Sequence, residues 1–253
     1  MRARIWRNAL RCPNDEARPL PHRLLSTLLV AVTLGAGTTA WAQVGISVVL
    51  QSDYRYRGRS ASDEQPTVSL NLSYDHDGGF YAGGSAILQD TRENGIEVLG
   101  RVVYAGYVMK PRRGPALDLG LTNRHVTEYR FGERTFDYSE AYAGLLTDHV
   151  SFRVYYAPDY YGSGIHTVYA DLGVAAQPRA DLRVFGHVGA LSGVGGRNGP
   201  GARRVRYDFS AGAAYRFEDL EFSLTWTRTA PSVRSGGRRQ RPDALVVSAA
   251  FFF

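Results

Sequence analysis

Two residue types are nearly missing from this chain of 253 residues: Cys12 is its only cysteine and Lys110 its only lysine. One cysteine excludes an internal disulfide and a thiolate metal site. No H-E-x-x-H is present, and no glycine-rich motif leads from a strand into a helix. The sequence thus offers no familiar metal or phosphate site, and no cofactor is expected. Charge of a single sign is scarce as well. The formal net charge is +6, but residues 1–42 hold six arginines and two acids, which leaves 24 basic against 22 acidic residues in the remainder. Interleaved charges do not make the one-signed stripe that phosphate backbones require, so nucleic acid is not an expected partner. Long apolar runs are confined to Leu24–Ala40. Beyond it arginine, aspartate or glutamate interrupts every apolar stretch, and no later segment reads as a membrane helix.

That early run reads as a targeting segment. Arg23 precedes it, it carries no charge, and Ala40-Trp41-Ala42 supplies a small-x-small cleavage pattern. Residues 1–42 are expected to be a signal peptide, with residues 1–21 an unusually long N-terminal extension, and the mature chain to start at Gln43. The alternative, an uncleaved anchor, needs about 20 apolar residues, and this run passes into Gly, Thr and Ala before that. Residues 43–253 then form one domain.

What the remainder holds in abundance is alternation. Val205, Tyr207, Phe209, Ala211, Ala213, Tyr215 and Phe217 share one parity; Arg206, Asp208, Ser210, Gly212, Ala214 and Arg216 share the other. After Glu218-Asp219, the residues Leu220, Phe222, Leu224 and Trp226 alternate with Glu221, Ser223, Thr225 and Thr227. Period two predicts two antiparallel strands on a very short turn. They exceed the five or six residues usual in soluble sheets and match the roughly nine to eleven needed to cross a bilayer at a tilt. Small residues at the middle of the apolar face and aromatics at its ends fit a transmembrane barrel.

The same pattern recurs along the chain. It starts at Gln43, where Val44, Ile46, Val48, Leu50, Tyr54 and Tyr56 share the apolar parity. Further strands are expected at Thr67–Asp75, Phe80–Gln89, Ile96–Lys110, Ala116–Arg124, Thr135–Leu146, Val150–Tyr156, Ile165–Ala176, Leu182–Leu191 and Ala244–Phe253. With the hairpin this makes about twelve. Connections after the even strands are tight; those after the odd ones, 58–66, 90–95, 125–134, 157–164, 192–203 and 228–243, are longer. Short turns at one end and long loops at the other are the layout of an outer-membrane barrel. The expected fold is therefore an all-β transmembrane antiparallel up-and-down barrel of about twelve strands, since only closed barrels or helices satisfy every backbone group in lipid.

Ser52–Ser60, SDYRYRGRS, resembles the opening motif of the TorF-type porin family of proteobacteria, S-D-Y-x-[FY]-R-G-x-S: Ser52, Asp53, Tyr54, Tyr56, Arg57, Gly58 and Ser60 match it. Gly79-Phe80-Tyr81-Ala82-Gly83 is similar to a second motif and Tyr138-Ser139-Glu140 to a third. The chain departs from the pattern at Ala61, where the family has glutamine, and at Gly84-Ser85. The resemblance implies an outer-membrane barrel that passes small solutes.

A passive channel for small hydrophilic solutes or ions is the expected function, and the outer membrane the expected location. Its expected pore-lining residues are Asp53, Arg55, Arg57, Glu97, Arg101, Asp118, Arg153, Arg206 and Asp208. Asp75, Arg124, Asp171, Arg183, Arg216 and Glu221 share their inward parity; Tyr81 and Glu140 stay open because their strands have no clear parity. Such charges either set an ion field or pair with one another. Their near balance of sign predicts weak selectivity, and twelve strands predict a bore between filled and wide. Expected partners are outer-membrane lipids and, through the final strand ending at Phe253, the barrel-assembly machinery. The alternative is a structural or adhesin-type barrel acting through loops 192–203 and 228–243. A hydrolase is a further reading, but no G-x-S-x-G occurs, so the chain is not expected to be an enzyme.

Overall fold

The structure, a computed structural model, describes residues 42–91, 95–128, 134–196, 205–231, 234–235, 238–239 and 241–253. Of the expected signal peptide, residues 1–41 lie outside the described residues, and Ala42 is the first residue of the strand that opens the barrel. Twelve strands close into one barrel: β1 (Ala42–Gln51), β2 (Thr67–His76), β3 (Phe80–Thr91), β4 (Gly95–Met109), β5 (Ala116–Glu128), β6 (Arg134–Leu146), β7 (Val150–Ala157), β8 (Ile165–Arg179), β9 (Leu182–Gly196), β10 (Arg206–Phe217), β11 (Leu220–Ala230) and β12 (Asp243–Phe252). Each strand pairs antiparallel with its sequence neighbours, and β12 returns to β1 with Val48 opposite Phe251. Phe253 adds a backbone bond to Ile46 at the closure. Closure removes every sheet edge, which lipid demands.

The β10–β11 hairpin runs as its alternation requires, with Phe217 opposite Leu220 across the Glu218-Asp219 turn. Ten residues at about 3.3 Å each, tilted some 40°, cover about 25 Å, the height of an outer-membrane apolar band. The outer surface supplies that band. Ile46, Leu72, Leu121, Leu172, Leu224 and Val247 are all exposed there, with Tyr207 toward the long-loop end and Tyr107, Tyr215 and Phe217 toward the short-turn end. An apolar surface of this extent on a soluble protein would be an aggregation hazard; on a barrel it is the lipid contact. The interior is mostly polar, with Ile87, Leu99 and Leu191 buried singly and a small apolar cluster of Tyr81, Val108, Ala116 and Leu146 near the short-turn end.

Three expectations change. First, strands run longer than the alternation indicated: β5 reaches Glu128 and β9 reaches Gly196, so residues 125–128 and 192–196 are ladder rather than loop. Backbone pairing continues where side chains no longer alternate. The remainder of loop 192–203 and most of 232–240 lie outside the described residues. Second, β1 ends at Gln51. Tyr54 and Tyr56 therefore do not continue its lipid-facing parity. Third, β4 carries a bulge: Ile87 pairs with Gly100 but Leu88 with Val98, leaving Leu99 extra. One extra residue reverses which face the next side chains take. Arg101 consequently shares the outer face with Val103 and Tyr107, and its expected place in the pore is wrong.

Candidate functional site

The lumen is narrowed by the segment between β1 and β2, residues 52–66, which folds into the barrel. Its Asp53 carboxylate accepts hydrogen bonds from Ser60 Oγ (2.6 Å), Ser62 Oγ (3.1 Å) and Arg55 Nε (2.5 Å). These bonds bend the chain inward just past Gln51. A short ladder of Arg55–Tyr56 with Arg59–Ser60 follows, turned by Arg57 and Gly58, both at positive φ. Two consecutive left-handed residues make the tight hairpin turn whose twist suits flanking strands. Gly58 is obligatory for space as well. A Cβ there would sit 2.8 Å from Asp208 Cβ and 2.9 Å from Thr229 Cβ, so the tip touches the β10–β11 wall.

Arg57 reaches the opposite wall. Its Nη2 lies 2.9 Å from Glu140 Oε2 on β6, with side chains only 3% and 1% exposed. Its guanidinium stands 3.9 Å from the Tyr169 ring centre on β8. Tyr56 donates to the same Glu140 oxygen at 3.2 Å. Burial pushes the Tyr56 phenol well above its ordinary value, which keeps it protonated as a donor. Ser52–Ser60, the stretch that carries the family resemblance, is thus a latch across the lumen. On its other side Asp208 accepts from Tyr169 (3.1 Å) and lies 2.7 Å from His187 Nε2, whose Nδ1 lies 2.8 Å from Asp171.

Toward the short-turn end the charges pair. Asp118, wholly buried, receives Arg153 Nε at 2.7 Å and the Tyr81 hydroxyl at 2.5 Å, and Tyr81 also bonds Tyr142. Arg183 pairs with Glu221 at 2.8 Å. Toward the long-loop end the company is aromatic. A single helical turn at Tyr160–Gly162 brings Tyr160 and Tyr161 against Tyr138, with ring centres 5.0 and 4.9 Å away. Arg124 lies 4.0 Å over the Tyr56 ring, and Arg206 Nη2 is 3.4 Å from the Tyr160 hydroxyl.

Of the residues expected to line a pore, Asp53, Arg55 and Arg57 lie in the latch. Asp118, Arg153, Arg206 and Asp208 stand on the inner wall, as does Glu97, one of whose oxygens is buried without a partner. Arg101 lies outside. Arg124, Asp171, Arg183 and Glu221 also take the inner face. Glu140, Tyr81, Tyr138 and Tyr142 enter the site although their strands showed no usable parity. On β6 tyrosines face the lumen while Ala141 and Ala143 face lipid, which inverts the usual apolar-out signal. Inward tyrosines are held by flanking glycines: Tyr81 lies over Gly106 and Tyr169 over Gly189, places where a Cβ would collide with the ring. A Tyr on one strand facing a Gly on the next was the available clue. His76 and His149 lie at short turns, and His125 and His166 bond Asp137 and Tyr156.

A family model described as "Bacterial protein of unknown function (Gcw_chp)" matches residues 35–252. No curated protein matches the chain. Among solved structures the barrel is similar to the NanC porin, with a TM-score of 0.53 at 10% identity over 83% of this chain and 100% of that one. It is similar also to the KdgM porin, with a TM-score of 0.50 at 12% identity over 82% of this chain and 98% of that one. At such identities the likeness is one of fold.

Proposed function

We propose that this chain, which belongs to the bacterial Gcw_chp family of unknown function, is an outer-membrane channel of narrow bore for small hydrophilic solutes or ions. The observation that carries the reading is a charged, hydroxyl-rich lumen inside an apolar shell, crossed by a hairpin held through polar and ring contacts. Asp53, Arg55, Arg57, Glu97, Asp118, Arg153, Arg206 and Asp208, joined by Glu140, line the path; rings of such groups set an ion field. The finer kinship with TorF-type porins rests on Ser52–Ser60, the latch itself. The final strand through Phe253 is what the barrel offers to the assembly machinery, and a cleaved signal peptide within residues 1–42 fits that route. The fold matches non-enzymatic channels, and the chain is read as no enzyme.

Conductance of the purified barrel in planar bilayers tests the proposal. Small, stable steps are expected, and Arg57→Glu and Arg206→Glu each move ion preference toward cations. A barrel that still shifts on a gel when boiled, yet carries no current, returns the structural or adhesin-type alternative.

A further inference from the structure

The outer part of the lumen holds more donors than the protein can satisfy. Arg57 Nε and Nη1, Arg124 Nε, Arg206 Nε and the Tyr138 hydroxyl are buried with no hydrogen-bond partner in the protein, against fewer carboxylate oxygens in the same condition, Glu97 Oε2, Glu140 Oε1 and Asp208 Oδ2. Among the described residues neither Arg124 nor Arg206 has a carboxylate within ion-pair distance, whereas Arg153, Arg183 and Arg57 each do. Both free guanidiniums border one tyrosine cluster. Arg124 lies over Tyr56, whose hydroxyl reaches Glu140 beside the latch; Arg206 meets the Tyr160 hydroxyl, and Tyr160 packs on Tyr138, which is opposite Arg124 in the β5–β6 ladder. A buried donor without an acceptor costs about 1–3 kcal/mol, more when charged. A fold that keeps several together has a use for an acceptor it does not itself supply.

We propose that Arg124, Arg206 and the Tyr138–Tyr160–Tyr161 cluster form an anion-binding subsite on the long-loop side of the latch. It takes a small solute bearing an oxyanion, a carboxylate or a phosphate. The guanidinium fork matches either group through two parallel bonds, and the ring faces receive the flat part of the solute. This deepens the channel reading: the subsite concentrates anions in front of the constriction, while the paired charges beyond it leave the inner half near neutral. It corrects the expectation of weak selectivity, which followed from counting charges without their positions.

Titration calorimetry of the folded barrel in detergent, with sodium benzoate and with sodium phosphate as probes, tests binding whether or not the barrel conducts. Wild type binds at least one probe; benzoate alone indicates a ring-bearing carboxylate, phosphate alone a phosphate solute. Arg124→Gln and Arg206→Gln each weaken binding at least tenfold, and Arg183→Gln, at a paired arginine near the opposite end, leaves it unchanged. If one variant fails to assemble, the other still decides. No heat of binding with either probe, or equal binding in all three variants, overturns the subsite. Failure of the channel reading looks different: a silent bilayer with calorimetric binding intact.

Discussion

The two halves of the lumen hold the same residue in opposite company. In the inner half Arg153 and Arg183 meet Asp118 and Glu221; in the outer half Arg124 and Arg206 meet tyrosines. All four occupy the inward parity of their strands. The difference comes from what the register and the inserted segment bring beside them. A paired arginine is neutralised and fixes the wall, whereas an arginine against a ring keeps its full charge for whatever enters. Between the halves stands the Arg57–Glu140 pair, a buried ion pair that ties the inserted segment to the far wall.

The largest expected effect lies at that boundary. Glu140→Ala strands Arg57 in a buried site and should cost about 3–5 kcal/mol, the usual loss when one partner of a buried pair is removed. Arg124→Gln orphans no carboxylate and should cost far less. Urea unfolding in lipid vesicles compares them; equal losses would mean that the two kinds of arginine do not differ. Next comes the parity on which the comparison rests. Ala211 faces lipid and Ser210 the lumen, so Ala211→Arg should cost roughly 2–4 kcal/mol near mid-bilayer. Ser210→Arg should leave folding, read by heat-shifted gel mobility, largely intact. Similar behaviour of the two would place β10 the wrong way round.

Gly58→Ala sharpens the role of the inserted segment. The added Cβ collides with Asp208 and Thr229, and the positive φ adds about 1–2 kcal/mol. The tip should leave the wall, and single-channel conductance should rise several-fold in a barrel that still folds. Unchanged conductance would show that the hairpin does not limit the path. The smallest effect belongs to the inner half. Arg183→Gln breaks a half-exposed pair, worth about 0–1 kcal/mol after solvent screening, and the reversal potential in a salt gradient should stay at the wild-type value. A shift as large as that of Arg206→Glu would put the selective charge at the wrong end.

Barrel closure was legible because period two is a local property. Val205 to Phe217 alternate whatever surrounds them, and sorted loop lengths orient the strands without any contact being known. The site was legible only in part. Asp118 and Asp208 follow from parity alone. Tyr81 and Glu140 do not, because small residues face lipid on their strands and rings face inward, so the hydrophobic signal cancels. Arg101 was misplaced by a single bulged residue at Leu99, and the flanking Gly100 is too weak a mark to locate a bulge by itself.

Spacing along the chain was enough for a closed barrel of about twelve strands, most of its lipid face, and the inward charges apart from Arg101 and Glu140. That Ser52–Ser60 leaves the wall and crosses the lumen follows from contacts between distant segments. That turn depends on Asp53 collecting donors from residues seven and nine positions on and on Glu140, 83 residues beyond Arg57. Contacts of the same kind set which arginines are neutralised and which stay free, because ion pairing acts over a few ångströms between strands, and no periodicity along one strand reports its neighbour across the barrel.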